Sequence, residues 1–145
     1  MQLQKPSLSR ILFGDYASLL SALFPLIFWT FTGYYFFVGD NSVQPFMFLS
    51  AIITVVAIPF FLWRYRSISS VFEEGMEAQG MITAISFFRG RGRVKYVYSF
   101  QGQEYGSGNT INRTKYTKDL RVGQQVSIFV DRENPKRAFI KQIYL

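Results

Sequence analysis

The stretch F-V-D-R-E-N-P-K-R-A-F-I, from Phe129 to Ile140, admits two readings. It is either a cluster of charges built to bind something or a polar turn between two strands. Its flanks decide. Before it, Val126, Ile128 and Val130 fall on one face of an alternating run, and after it Ala138 and Ile140 do the same. That period of two marks half-buried strands. Between them, Asp131 and Asn134 carry side chains that bond nearby backbone, and Pro135 fixes φ while ending a strand. The charges of Asp131, Arg132, Glu133, Lys136 and Arg137 are mixed in sign, as in a solvated turn. The stretch therefore predicts a turn, and the runs it joins predict an antiparallel β-domain.

The same periodicity extends upstream. M-I-T-A-I-S-F-F reads as a strand, R-G-R-G reverses the chain, and R-V-K-Y-V-Y-S-F-Q returns. In the returning strand Val94, Tyr96, Tyr98 and Phe100 face one way, while Arg93, Lys95, Ser99 and Gln101 face the other. Gln101-Gly102 makes a second tight turn, and Q-E-Y-G-S-G offers a short third strand. The polar, aperiodic stretch 109–120 reads as a loop. R-A-F-I-K-Q-I reads as the fifth and last strand. Five short strands in so small a domain, without disulfides, leave a marginal core. Support is expected from the membrane surface, an adjoining helix or another copy of the chain.

Further upstream the pattern changes. From Tyr16 to Gly39, and again from Asn41 to Trp63, the sequence carries no charge. About 20 apolar residues cross a bilayer core as a helix. The short connection around Gly39-Asp40-Asn41-Ser42 forces the two spans to run antiparallel. Trp29, Tyr34, Tyr35 and Trp63 are candidate interfacial anchors, and Pro25 and Pro59 are tolerated in lipid-embedded helices. Small residues at Ala17/Ser21 and Ser18/Ala22 suit close packing of the first span on the second. The expected architecture is a two-helix transmembrane hairpin followed by a small five-stranded antiparallel β-barrel or sandwich. Residues 1–66 form the hairpin, with spans at about 16–39 and 41–63. Residues 67–80 form a juxtamembrane helix or linker, in which Ile68, Val71 and Phe72 recur at helical spacing, and 81–145 form the β-domain.

Charge is segregated accordingly. The first 63 residues hold only Lys5, Arg10, Asp15 and Asp40, so the net charge of +7 lies entirely beyond them. Lys5 and Arg10 precede the first span, Arg64 and Arg66 follow the second, and the connecting turn has no Lys or Arg. The positive-inside rule then puts both termini in the cytoplasm.

With no Cys and no His, the chain lacks the thiol nucleophile, the commonest general acid/base and the usual metal ligands. No S-x-x-K or G-x-S-x-G context surrounds a hydroxyl. The carboxylates Glu73, Glu74 and Glu77 have no second ligand group and read as a solvated helix face. No catalytic residue, cofactor or metal site is expected.

The motifs V-x-Y-x-Y-x-x-x-G-x-x-Y (Val94, Tyr96, Tyr98, Gly102, Tyr105) and V-G-x-x-V-x-I leading to N-P-x-x-A-x-I (Val122, Gly123, Val126, Ile128, Asn134, Pro135, Ala138, Ile140) bring a family to mind. With Gly80, Ile82 and the two preceding spans, the sequence resembles the DUF3592 family of small bacterial membrane proteins. The C-terminal β-domain of that family often ends in V-x-V-x-Y-x-P-x-N-P-x-x-A-x-I. Here Phe129-Val130-Asp131-Arg132 stand where the family usually has Tyr and Pro. The resemblance implies an architecture and a bacterial inner-membrane origin, and no reaction.

Three functions remain on the sequence. The first is a membrane-anchored interaction or assembly module at the cytoplasmic face, contacting a membrane-protein partner or forming a homo-oligomer. The second is an anionic-lipid or polyanion binder using the basic hairpin of Arg89, Arg91, Arg93 and Lys95, since basic residues held at a bilayer surface attract anionic lipid. The third is an accessory subunit of a transporter or channel, disfavoured because the spans hold no ionisable residue. Nucleic acid is not an expected partner: alternation sends the aromatics of the second strand inward, away from the cations that stacking would need beside them.

Overall fold

Two apolar helices meet a curled five-stranded sheet with a single residue at the joint. The computed structural model describes residues 5–145. In chain order the elements are α1 (Leu8–Gly14), α2 (Tyr16–Val38), α3 (Val43–Glu74), β1 (Met76–Phe88), β2 (Arg91–Phe100), β3 (Gln103–Asn112), β4 (Gln125–Val130), β5 (Ala138–Ile140) and α4 (Lys141–Tyr144).

α2 and α3 pack side by side and are each long and apolar enough to cross a membrane. They do not bury their apolar surface within the chain. Phe36, Phe37, Val55, Val56 and Leu62 stand exposed, which a core helix of a soluble domain would not allow. The contact between them is lined by small residues, with Ser18, Ser21 and Thr32 of α2 and Ser50 and Ala57 of α3 buried. Thr32 Oγ1 lies 2.8 Å from Ser50 Oγ. Trp29, a candidate interfacial anchor on sequence, donates its indole N–H to Thr54 Oγ1 at 3.0 Å. Trp29 is 46% exposed along an apolar helix surface, where Thr54 is the partner its N–H finds.

α3 runs on to Glu74 and inserts Ile68, Val71 and Phe72 into the core of the β-domain. The boundary expected at Gly80 falls earlier, because residues 76–80, read as linker, are the first part of β1 and pair with β4 from Met76↔Val130 to Gly80↔Val126. Gly75 is the only residue between helix and strand. A Cβ there would strike the carbonyl oxygens of Val71 and Val130, so the sharp exit from helix to strand requires glycine.

The antiparallel sheet has the order β3-β2-β1-β4-β5. A register irregularity between Ile82 and Ala84 lets β1 leave β4 and continue beside β2 alone. The two hairpins turn on Arg89-Gly90 and Gln101-Gly102, each with φ positive at both positions. Such mirror-image turns match the right-handed twist of the flanking strands. The alternation read in β2 holds, since Val94, Tyr96, Tyr98 and Phe100 are buried.

Other local expectations yield to tertiary pairing. Residues 109–112, read as loop, belong to β3, because Arg91↔Asn112 and Arg93↔Thr110 carry the β2–β3 ladder to its end. The last strand is only Ala138–Ile140, and residues 141–143, read as its continuation, coil with Tyr144 into α4 and bury Ile143 and Tyr144. An additional helix, α1, precedes α2 and contributes Ile11 to the core.

The curl that nearly closes the sheet explains why the two motifs occur together. Tyr98 of β2 donates its hydroxyl to the Pro135 carbonyl, and the Tyr96 hydroxyl lies 2.6 Å from the Ala138 carbonyl and 2.9 Å from the Asn109 amide. Ser107 of β3 donates to the Lys136 carbonyl at 3.0 Å. The Asn-Pro-x-x-Ala turn thus presents backbone carbonyls that the inward-facing tyrosines of β2 satisfy, as buried acceptors require.

Burial raises these phenols. Tyr98 is pushed up to about 12, and Tyr96 and Tyr144 are also raised, by desolvation first. The folded chain therefore keeps protons that the unfolded chain releases near its ordinary tyrosine pKa of about 10. Stability is full below that pH and falls as pH rises from about 10 toward 12. A pH series of melting curves is expected to show a steep loss of melting temperature above about pH 10, with phenolate absorbance appearing cooperatively on unfolding. Smooth titration of all tyrosines without loss of the fold would contradict this.

Candidate functional site

Two constellations sit where the β-domain meets the helices, one open and one buried. The open one is the tip of the β1–β2 hairpin. Pairing of Phe88↔Arg91, Ser86↔Arg93 and Ala84↔Lys95 puts Arg91, Arg93 and Lys95 on the outer face of β2, all exposed. Arg89 lies in the turn, with its guanidinium 5.2 Å from the Phe88 ring centroid. Arg91 donates from Nη1 to the Tyr16 hydroxyl at 2.9 Å and stands 5.4 Å from the centre of that ring. The hairpin tip therefore rests against the first turn of α2.

β3 fixes this placement. Ile111 bridges to Asp15, and Asn112 Nδ2 donates to the Phe13 carbonyl at 2.8 Å, holding the end of β3 and its neighbour β2 against the α1–α2 joint. The Arg113 N–H donates to the Gly90 carbonyl at 2.7 Å and stiffens the turn. Between tip and helix lies a cavity of about 540 Å³, walled by Tyr16, Leu19, Phe88, Arg89, Gly90, Arg91 and Asn112. Of the four basic residues singled out on sequence, Arg89 and Arg91 line it. Arg93 borders an adjoining space of about 300 Å³, and Lys95 borders neither. The sequence offered no signal that Tyr16, Leu19, Phe88 and Asn112 would join them.

The buried constellation centres on Asp15, which has no solvent exposure. Its carboxylate accepts from Arg64 Nη2 at 2.8 Å and Nε at 3.2 Å, and caps α2 by accepting from the Ser18 N–H at 3.0 Å and the Ser18 hydroxyl at 2.9 Å. The Tyr144 hydroxyl approaches it at 3.5 Å. Arg64 thus serves as the ion partner of Asp15, and the flanking positive charge rests on Lys5, Arg10 and Arg66. Lys5 and Arg66 are exposed, and Arg10 lies 4.2 Å over the Tyr116 ring.

The Asp131–Arg137 turn joins the same junction. Asp131 accepts from Arg137 Nη1 at 3.1 Å, and Arg137 Nη2 donates to the Ser67 carbonyl and to Ser70 Oγ. Two charges read as solvated therefore bind the β4–β5 turn to α3, while Arg132, Glu133 and Lys136 do stand in solvent. Asp131 also accepts from the Glu133 N–H at 3.0 Å, the local turn bond expected of it. Glu77 pairs with Lys141 at 3.1 Å, and among the described residues no three His, Cys, Asp or Glu side chains group as metal ligands. A cleft of about 580 Å³ between α2 and α3, bordered by Phe24, Phe28, Val56 and Phe60, is almost wholly apolar and offers little polarity for selecting a ligand.

Residues 78–142 match the family model described as Domain of unknown function (DUF3592), which bears out the resemblance read from the sequence. No curated protein and no solved structure matches the chain.

Proposed function

We propose, for a chain whose β-domain is a DUF3592 domain, that it is a membrane-anchored, non-catalytic interaction or assembly module. Its helices cross a bacterial inner membrane, and its β-domain stands at a set angle on the cytoplasmic face. The observation that carries this reading is the joint. Gly75 alone separates α3 from β1, and the Asp15–Arg64 and Arg137–Ser67 contacts brace it from both sides. A domain that merely fishes for ligands works from a flexible linker, whereas one that must meet a neighbouring membrane protein in register gains from a fixed orientation, because less freedom is lost on binding. The absence of His and Cys from the sequence supports a binding role over catalysis. Lys5, Arg10 and Arg66, close to the span ends, support the cytoplasmic orientation, since the connecting turn carries no Lys or Arg.

The Cys-free sequence gives a clean background for a test. Asn41→Cys is expected to react with a membrane-impermeant maleimide in intact cells, and Ser99→Cys only after permeabilisation. Labelling of Ser99→Cys from outside would overturn the orientation. Photoreactive residues placed at the exposed Thr83 and Ser99 should give discrete cross-linked species in native membranes. Adducts only from helix positions such as Phe37 and Val55 would instead favour a transporter or channel accessory.

A further inference from the structure

We propose that the cavity between the β1–β2 hairpin tip and the first turn of α2 holds the phosphate of an anionic phospholipid headgroup, with the lipid tail descending along α2 past Leu19. The walls have two chemistries. Tyr16, Leu19 and Phe88 supply apolar surface, and Arg89 and Arg91 supply charge at one rim. Phe88 is 62% exposed at the tip, beside the position where the uncharged stretch of α2 begins. In water that ring is a liability. Deep in lipid the arginines would be. Only the headgroup layer suits both at once, and there the cavity faces phosphates above and acyl chains below.

The cations are available for such a ligand. Among the described residues the ion pairs use Arg64, Arg137 and Lys141, and none involves the hairpin. Arg91 gives one guanidinium nitrogen to the Tyr16 hydroxyl, which aims the side chain while leaving further donors for the two-pronged phosphate contact that guanidinium geometry favours. Asp15, the nearest buried acid on the α2 side, is neutralised by Arg64 and does not compete. The two-residue turn, bonded to the Arg113 N–H, holds Arg89 and Phe88 in place before any lipid arrives. A free phosphate would make no use of Phe88 and Leu19, and a nucleic acid would find a single exposed ring, so a lipid is the occupant that matches every wall.

This inference requires α2 to lie in the bilayer but no protein partner, so its failure would leave the labelling and cross-linking results above untouched. The test is native mass spectrometry of the full chain in neutral detergent, titrated with phosphatidylglycerol or phosphatidylcholine. One phosphatidylglycerol should be retained in preference to phosphatidylcholine. Arg89→Ser and Arg91→Ser are each expected to lower that retention about fivefold, from about 1 kcal/mol per basic residue at an anionic surface. Both positions are exposed, so the fold and its circular dichroism should persist. The equally charge-reducing pair Arg132→Ser and Lys136→Ser, on the β4–β5 turn, should change retention less than twofold. Equal retention of both lipids would overturn the proposal. Equal loss from the remote pair would do the same, because it would reduce the effect to net charge. A stoichiometric inorganic phosphate adduct without preference between the lipids would assign the site to free phosphate instead.

Discussion

Replacing Asp15 by Ala is expected to destabilise the chain by about 3 to 5 kcal/mol, as breaking a buried ion pair from one side does. The carboxylate is fully enclosed and serves two elements at once. Its loss strands the partly buried Arg64, whose side chain is 22% exposed, and removes the cap of α2, which by itself is worth about 1 kcal/mol. The cost should fall mainly on the mutual orientation of helices and β-domain. The companion double variant, Asp15→Ala with Arg64→Met, should recover part of the loss, because it no longer strands a charge, while the cap of α2 stays missing. Thermal unfolding of the parent, Asp15→Ala, Arg64→Met and the double variant in one detergent gives the coupling energy. An additive cycle, or a single variant within about 1 kcal/mol of the parent, would show that the joint is held by other contacts.

A second large effect is expected at the C-terminal end. Tyr144→Ala should cost about 3 to 5 kcal/mol, the usual range for emptying a buried aromatic site. The ring is fully buried and lies 5.8 Å from Phe72 of α3 and 5.5 Å from Phe139 of β5, measured between ring centres. It thereby ties the end of the chain to the juxtamembrane helix and to the last strand. Tyr144→Phe keeps the ring and gives up only a 3.5 Å hydroxyl contact to Asp15, so its cost should stay near 1 kcal/mol. Unfolding curves that place the two variants together would mean the hydroxyl, and not the packing, carries the effect. Since Tyr144 and Asp15 touch, their combined loss should be less than additive.

The parts of this fold that were legible in the sequence are those set by near neighbours in the chain. Two uncharged runs of helical length, the alternation of Val94, Tyr96, Tyr98 and Phe100, the two turns and the Asn-Pro reversal are local patterns. Each expresses a choice that a short segment makes against water or lipid, and each survives in the folded chain. The limits of β1, β3 and β5 depart from the local pattern, because a polar segment such as Asn109–Asn112 becomes a strand when a paired neighbour takes up its backbone bonds.

The candidate sites belong to the tertiary structure. The basic residues of the hairpin were visible as charge, yet their cavity arises only when β3 docks on the α1–α2 joint. That brings Arg91 to Tyr16 across 75 positions of chain. Asp15 meets Arg64 across 49 positions and Tyr144 across 129. A lone Asp before an apolar run carries no mark of such partners, since its meaning depends on what burial leaves unpaired around it. By itself the sequence determined which segments are apolar helices, which are strands and where the chain turns, because those preferences act over a few residues. Closure of the sheet against the helix ends decided that Asp15 would be buried, that Arg64 would neutralise it and that Arg89 and Arg91 would line a cavity beside α2, because burial and pairing are properties of surfaces that exist only once the chain has folded.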